Sequence, residues 1–352
     1  MRMKKIILIA AVAIAAAACS KTFDTNLATE KAIGFSTWNE TMTKAKSAFA
    51  VNDEFDVFGF KTPTSGPNAV VFNGVDVKKT ATAWEYSPLR FWDQNTSSYT
   101  FFAAYPKDVV TGSAETGLFT ASDLAFNGTA ENLLVAQKKV VEKANYGSDV
   151  QLVFKHVASL VDIKAKKHTD IASAKLTINS LTLSNIKVSG SYAVTEYATA
   201  AVDADGVKVN DPKGTWTPAA GVNTATTPYV LSSAATLAAG DGTTTTTAAA
   251  LISDLVVMPQ ALNPASDKPT INMNYTITTG TGTEEDSMTY DAVFTIDQFD
   301  TTDNESNTAE FITAWKQGIH YTYYITINAD KITFTASIDD WKNIDGFHYI
   351  VK

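Results

Sequence analysis

Apolar side chains recur at every second position along most of this chain. That period buries one face of an extended strand and cannot form the apolar stripe of a helix. Tyr99, Phe101, Ala103 and Tyr105 share one face, as do Leu176 and Ile178, then Ile271, Met273, Tyr275 and Ile277, then Tyr290, Ala292, Phe294 and Ile296. The clearest case is Tyr321, Tyr323, Ile325 and Ile327 followed by Ile332, Phe334, Ala336 and Ile338, with Asn328-Ala329-Asp330-Lys331 as a hairpin turn between them. One apolar and one wet face per strand is antiparallel behaviour. Helical spacing is scarce: Asn132 to Lys143 is the best candidate, and Asn304 to Gln317 has room for one helical turn around Phe311 and Trp315. The expected class is all-β, built from many short strands.

The length of 352 residues suggests about two domains at ~150 residues each. Hydrophobic residues make up 45% of the chain, enough to fill ordinary cores. The formal charge of −9 argues against a nucleic-acid partner, which calls for a basic surface. A single cysteine rules out an intramolecular disulfide and any thiolate-rich metal site. Residues 191–250 differ in composition, being rich in Ala, Thr, Gly and Asp with an unbroken run from Thr243 to Thr247. They read as an insertion of long loops with room for an edge hairpin.

The chain opens with Arg2, Lys4 and Lys5, then an uncharged apolar run from Ile6 to Ala18 that stops at the lone cysteine, Cys19. The run is shorter than the ~20 residues that span a bilayer and suits a secretory signal. Ala17-Ala18-Cys19 resembles the lipobox of bacterial lipoproteins, which implies cleavage after residue 18 and acylation of Cys19. Ala16 stands where leucine is commoner. Several acyl chains would provide the two signals that stable membrane anchoring requires. Loss of residues 1–18 removes three positive charges and leaves one arginine, Arg90.

Catalytic and ligand-binding patterns are not found. The four histidines, His156, His168, His320 and His348, form no close metal-ligand pair. Ser184-Asn185-Ile186-Lys187 lacks the partner motifs of Ser-x-x-Lys enzymes. The acidic stretches Asp297, Asp300, Asp303, Glu305 and Glu284, Glu285, Asp286 do not fit an EF-hand. Gly280-Thr281-Gly282 lacks the rest of a dinucleotide loop. No enzyme activity, cofactor or metal is expected.

Several segments taken in order resemble a known family. Phe55-Asp56-Val57-Phe58-Gly59-Phe60 precedes Trp84-Glu85-Tyr86, Arg90-Phe91-Trp92 and Tyr99 to Pro106. Leu152 to Leu160, Val257-Met258-Pro259-Gln260, Trp315 to Tyr323 and Ala336 to Trp341 follow. Together they resemble the fimbrillin-like lipoproteins of Bacteroidetes, which include type V pilus subunits of the major and minor fimbrium kind. The resemblance implies two transthyretin-like antiparallel β-sandwich domains in series, at 19–148 and 149–352, with a joint near Tyr146-Gly147-Ser148. It also implies a surface lipoprotein precursor held to the outer membrane through Cys19. A protease would remove its first strand, and a strand of another pilin subunit would fill the groove.

Ala32 to Trp38 alternates in the manner of that strand, with three or four apolar side chains worth roughly 5–10 kcal/mol on burial. The family often has a Thr-Arg pair at the cleavage point, whereas this chain reads Thr41-Met42-Thr43-Lys44-Ala45-Lys46-Ser47. Cleavage would therefore fall at Lys44 or Lys46. Phe347, Tyr349 and Val351 alternate near the C-terminus as a donor strand would. Two alternatives stay open: a pilus anchor subunit that is not proteolytically matured, and a monomeric surface lipoprotein that binds carbohydrate. The latter needs a solvent-facing aromatic platform, for which Trp38, Trp84, Trp92 or Trp216 are the candidates. A host or bacterial surface glycan or protein is the further partner that adhesion implies.

Overall fold

A computed structural model describes residues 31–37, 49–126, 133–199, 210–222, 229–238, 248–299, 311–329 and 332–340. The all-β expectation holds, and the helical elements among these residues are three-residue 3-10 turns such as Thr169–Ile171.

The first half of the chain carries β1 (Phe35–Thr37), β2 (Glu54–Pro63), β3 (Ala69–Lys79), β4 (Trp84–Glu85), β5 (Thr96–Tyr105) and β6 (Val110–Gly112). It continues with β7 (Phe119–Ala125), β8 (Leu134–Ala136), β9 (Lys139–Glu142), β10 (Val150–Leu152) and β11 (Phe154–His156). The second half has β12 (Ser159–Lys167), β13 (Lys175–Ser184), β14 (Ser189–Tyr197), β15 (Pro212–Pro218), β16 (Ala235–Leu237) and β17 (Ala249–Val257). It ends with β18 (Gln260–Ala261), β19 (Thr270–Thr279), β20 (Asp286–Thr295), β21 (Ala314–Trp315), β22 (Ile319–Ile327) and β23 (Ile332–Asp340).

A seven-stranded sheet in the order β11-β8-β5-β2-β3-β4, with β9 also on β5, is the frame of the first half. It is covered on both faces. Tyr99, Phe101, Ala103 and Tyr105 point from β5 into a core closed by the small β1-β10 sheet. Phe102 and Ala104 point the other way, into a core closed by the sheet β15-β14-β7-β6. Burial on both faces explains the unbroken apolar run from Phe101 to Tyr105, where a one-sided strand would alternate with polar residues.

The second half is a sandwich of two four-stranded sheets, β17-β12-β22-β23 and β16-β13-β19-β20. Its core interleaves Val161, Ile163, Tyr321 and Tyr323 from one sheet with Leu176, Ile178, Ile271 and Met273 from the other. The expected hairpin is present, with Ile327 opposite Ile332 across β22 and β23.

Three local readings are corrected. In the segment Asn132–Lys143, the described residues 133–142 form no helix: Val135, Val140 and Val141 favour extended backbone, and β8 and β9 both pair with β5. Trp315 lies in β21 and donates its indole N–H to the Tyr323 hydroxyl at 2.8 Å, so no helical turn surrounds it. Residues 191–250 are more than loops. They supply most of β14, all of β15 and β16, and the start of β17. The β14-β15 hairpin pairs with β7, and its Tyr192, Val194 and Tyr197 are buried against Phe58, Phe102 and Phe119. The turn at 146–148 precedes β10 and β11, which pair back onto β1 and β8.

Candidate functional site

Residues 31–37 lie in a slot on the first-half frame, and their backbone is held along both edges. On one side β1 runs parallel to β10, with Phe35 opposite Val150 and Thr37 opposite Leu152. The Val150 N–H donates to the Gly34 carbonyl at 2.8 Å. On the other side the Ile33 N–H donates to the Arg90 carbonyl at 2.8 Å, and Ala32 bridges Phe91 antiparallel. Two side chains tie the strand further. The Tyr86 hydroxyl donates to the Ile33 carbonyl at 2.7 Å, and the Trp84 indole N–H donates to the Thr37 hydroxyl at 3.2 Å. Burial pushes the Tyr86 phenol up from its usual pKa.

Ile33 and Phe35 point inward and are 0% and 4% exposed. Phe35 sits edge-on to Phe72, Tyr86 and Phe101 at centroid distances of 5.4, 5.6 and 5.9 Å. Gly34 lets the backbone pass the Asp149 carboxylate, into which a Cβ there would run. Gly34 and Ser36 alternate away from the core, so among its described residues the strand buries two apolar side chains, Ile33 and Phe35. At ~1.5–3 kcal/mol each, they contribute about 3–6 kcal/mol before ordering costs.

Phe49 is the next described aromatic along the chain. It packs edge-on against Trp84, Tyr105 and Phe154, each at 5.2 Å, and also meets Phe55. Residues 38–48, with Lys44 and Lys46, lie outside the described residues, as do Cys19, residues 1–18 and the alternating segment 347–351. Arg90 is half-buried and spoken for: its Nε donates to the Val71 carbonyl at 3.1 Å and one terminal nitrogen to the Pro88 carbonyl at 3.1 Å.

The remaining candidates are dispersed. His156 is buried in β11, and desolvation pulls its pKa down to about 3, so it stays neutral. His168 caps the 3-10 turn at Thr169–Ile171, and His320 lies 3.3 Å from Asp162. Asn185 takes a left-handed conformation (φ 60°) in the turn after β13, so Ser184 and Lys187 flank a bend and no helix presents them together. Asp297 pairs with Lys268 at 2.8 Å. Trp84 and Trp92 are core residues, and Trp216 packs on Phe126 and Tyr192. None of these three stands on an open platform, and Trp38 lies outside the described residues.

The sequence reading missed one carboxylate group. Asp56 on β2 lies directly opposite Asp76 on β3, and Asp108 closes on both from the loop after β5. The signal available in the sequence was Asp56 itself, an acid between Phe55 and Val57 in an otherwise apolar strand.

Among solved structures, the chain is similar to a fimbrial protein from Bacteroides vulgatus, at 19% identity and a TM-score of 0.52, over 89% of this chain and 100% of that one. That likeness supports the fold. A candidate cell-adhesion protein from Bacteroides uniformis matches at 17% identity and a TM-score of 0.44, over 89% of this chain and 99% of that one. The tip fimbrial protein Mfa3 from Porphyromonas gingivalis, with a C-terminal truncation, matches at 9% identity and a TM-score of 0.35, over 89% and 99%. No curated protein matches the sequence. The fimbrillin-like family model matches residues 42–341. With most of the chain inside that match, and with a fold shared with a fimbrial protein, the chain belongs to the fimbrillin-like family.

Proposed function

We propose that this chain is a non-enzymatic structural or adhesive subunit of a Bacteroidetes cell-surface pilus. In this reading it is made as an outer-membrane lipoprotein acylated at Cys19, cut after the first strand at Lys44 or Lys46, and joined to like subunits by strand exchange. Two sandwich units in series, with a joint near 146–148, remain part of the proposal.

The observation that carries it is the construction of the slot. Its occupant is a short segment from the start of the chain, docked by a few backbone bonds and two side chains. The frame beneath is complete without it. A cut at Lys44 or Lys46 would free the strand, while Phe49, already seated among Phe55, Trp84, Tyr105 and Phe154, would hold the new end in place. The vacated slot would expose Phe72, Phe101 and the edge groups of β10, a surface that an extended strand of another subunit can repair. Lysine is the apt cleavage residue, since the one arginine beyond the signal segment is engaged beside the slot.

The test treats the purified precursor with a lysine-specific protease and follows it by mass spectrometry and size-exclusion chromatography. A clean cut at Lys44 or Lys46, loss of residues 31–37 and growth of SDS-resistant ladders are expected. The Lys44→Ala, Lys46→Ala double variant should remain monomeric. A wild-type chain that stays intact, or one that is cut there and never assembles, overturns assembly by this route.

A further inference from the structure

We propose that Asp56, Asp76 and Asp108 form a calcium-binding site at one end of the first-half frame. Each offers one carboxylate oxygen, and the three oxygens lie within 4.8 Å of one another. Two come from neighbouring strands in direct register, Asp56 on β2 opposite Asp76 on β3. Like charges in that position repel unless something sits between them. The third, Asp108, is in a left-handed conformation (φ 62°) just beyond Pro106, and its N–H donates to Asp56 Oδ2 at 2.8 Å.

A second observation lies in Asp56 itself. It is only 4% exposed, and its Oδ1 has no hydrogen-bond partner. A buried carboxylate oxygen with no donor is costly, and a cation is the ligand that satisfies it. The neighbouring lysine does not fill this role. Lys107 contacts Asp76 at 3.2 Å and is shared with Glu54, and it makes no hydrogen bond to Asp56 Oδ1.

The donor set selects the metal. Three carboxylates and no nitrogen or sulfur favour a hard cation. Calcium binds oxygens at ~2.3–2.6 Å, so opposed ligands in its shell are about 4.6–5.2 Å apart and irregular sites are accepted. Magnesium demands a tighter octahedron. Water would complete the shell on the open side, where Asp76 and Asp108 are exposed. A bound ion would clamp the turn at 106–108 onto β2 and β3.

The experiment uses the chelator-stripped full chain, titrated calorimetrically with calcium chloride and melted with and without the ion. One saturable calcium event per chain and a rise in Tm are expected, both lost in the Asp76→Asn, Asp108→Asn double variant and much weaker with magnesium chloride. If the double variant fails to fold, as judged by near-UV circular dichroism, Asp108→Asn alone serves, since that side chain is exposed in a loop. Absence of heat and Tm shift at millimolar calcium overturns the proposal. So does an equal response in the variant, and an equal response to magnesium overturns the choice of metal.

Discussion

The two halves of the molecule close their cores in different ways. In the second half, two four-stranded sheets meet face to face, and long strands such as β12, β13, β19 and β22 supply both walls. In the first half, the seven-stranded frame is walled on one side by the β14-β15 hairpin and its neighbours, and on the other by the two short strands β1 and β10 with Phe49, Tyr86, Trp92 and Tyr146 from the connecting segments. Removing a wall strand from the second half would cost a large share of its core. Removing residues 31–37, β1 included, costs the two buried side chains Ile33 and Phe35 and a few backbone bonds. Undocking a strand would therefore cost less in the first half, which is the asymmetry the proposed assembly relies on.

The largest expected effects probe the core common to each half. Phe101→Ala and Tyr323→Ala each delete a side chain that is 0% exposed and should lower unfolding stability by about 3–5 kcal/mol in urea titrations. Phe35→Ala breaks or sharpens the contrast. Its side chain is equally buried, yet the strand can undock alone, so the global midpoint should fall by only ~1–3 kcal/mol. Hydrogen exchange at residues 33–37 should accelerate well ahead of that at β5. If Phe35→Ala instead unfolds the whole half in step with Phe101→Ala, β1 is no separable element.

A pH scan tests the carboxylate group on the first-half frame. Burial, with the Asp76 and Asp108 carboxylates adding to it, pushes Asp56 up to about 6. Lys107, Glu54 and Lys78 are the charged groups beside it, with Glu54 paired to both lysines. Because the folded pKa lies above the unfolded value of about 4, the folded chain holds this proton more tightly. Stability from this group is therefore greatest near pH 4 and falls as pH rises through 6. The loss is of order 2–3 kcal/mol. Asp56→Asn should abolish that slope in calcium-free buffer, as measured by the difference in urea midpoint between pH 4.5 and 7.5.

A smaller effect belongs to the second half. Lys167 is buried and its ammonium donates to the carbonyls of Ala172, Ala174 and Ala238 at 2.7–2.8 Å, pinning the end of β12 to the loop before β13 and to the chain after β16. Lys167→Met leaves those acceptors short of a donor and should cost about 1–3 kcal/mol, with no change in exchange at β1. Smallest is Thr37→Val, which removes the acceptor for Trp84 and should cost ~1 kcal/mol, visible mainly as faster cleavage near the slot.

Strand character was legible wherever one face is buried and the other wet. β19, β20 and β22 follow the alternation read from Ile271, Tyr290 and Tyr321 onward, and β23 pairs with β22 as expected, with Ile338 exposed near its end. It was less legible where the environment departs from that rule. Phe101 to Tyr105 is apolar throughout because it serves two cores. Residues 134–142 mimic a helix in spacing because two short strands follow each other on the same partner. The place of the β14-β15 hairpin was obscured by its Ala, Thr and Gly, since few large residues are needed when Tyr192, Val194, Tyr197 and Trp216 fill the contact.

By itself the sequence determined the class of the fold, the signal-like start ending at Cys19 and, through motif order, the resemblance to a pilin family, because these depend on local period and spacing. Tertiary structure decided which strands share a sheet, that residues 31–37 fill a slot between β10 and Arg90, and that three aspartates distant in sequence meet at one point. Pairing partners and charge encounters arise from long-range register. A period of two cannot encode that register, since every strand with the same alternation offers the same face.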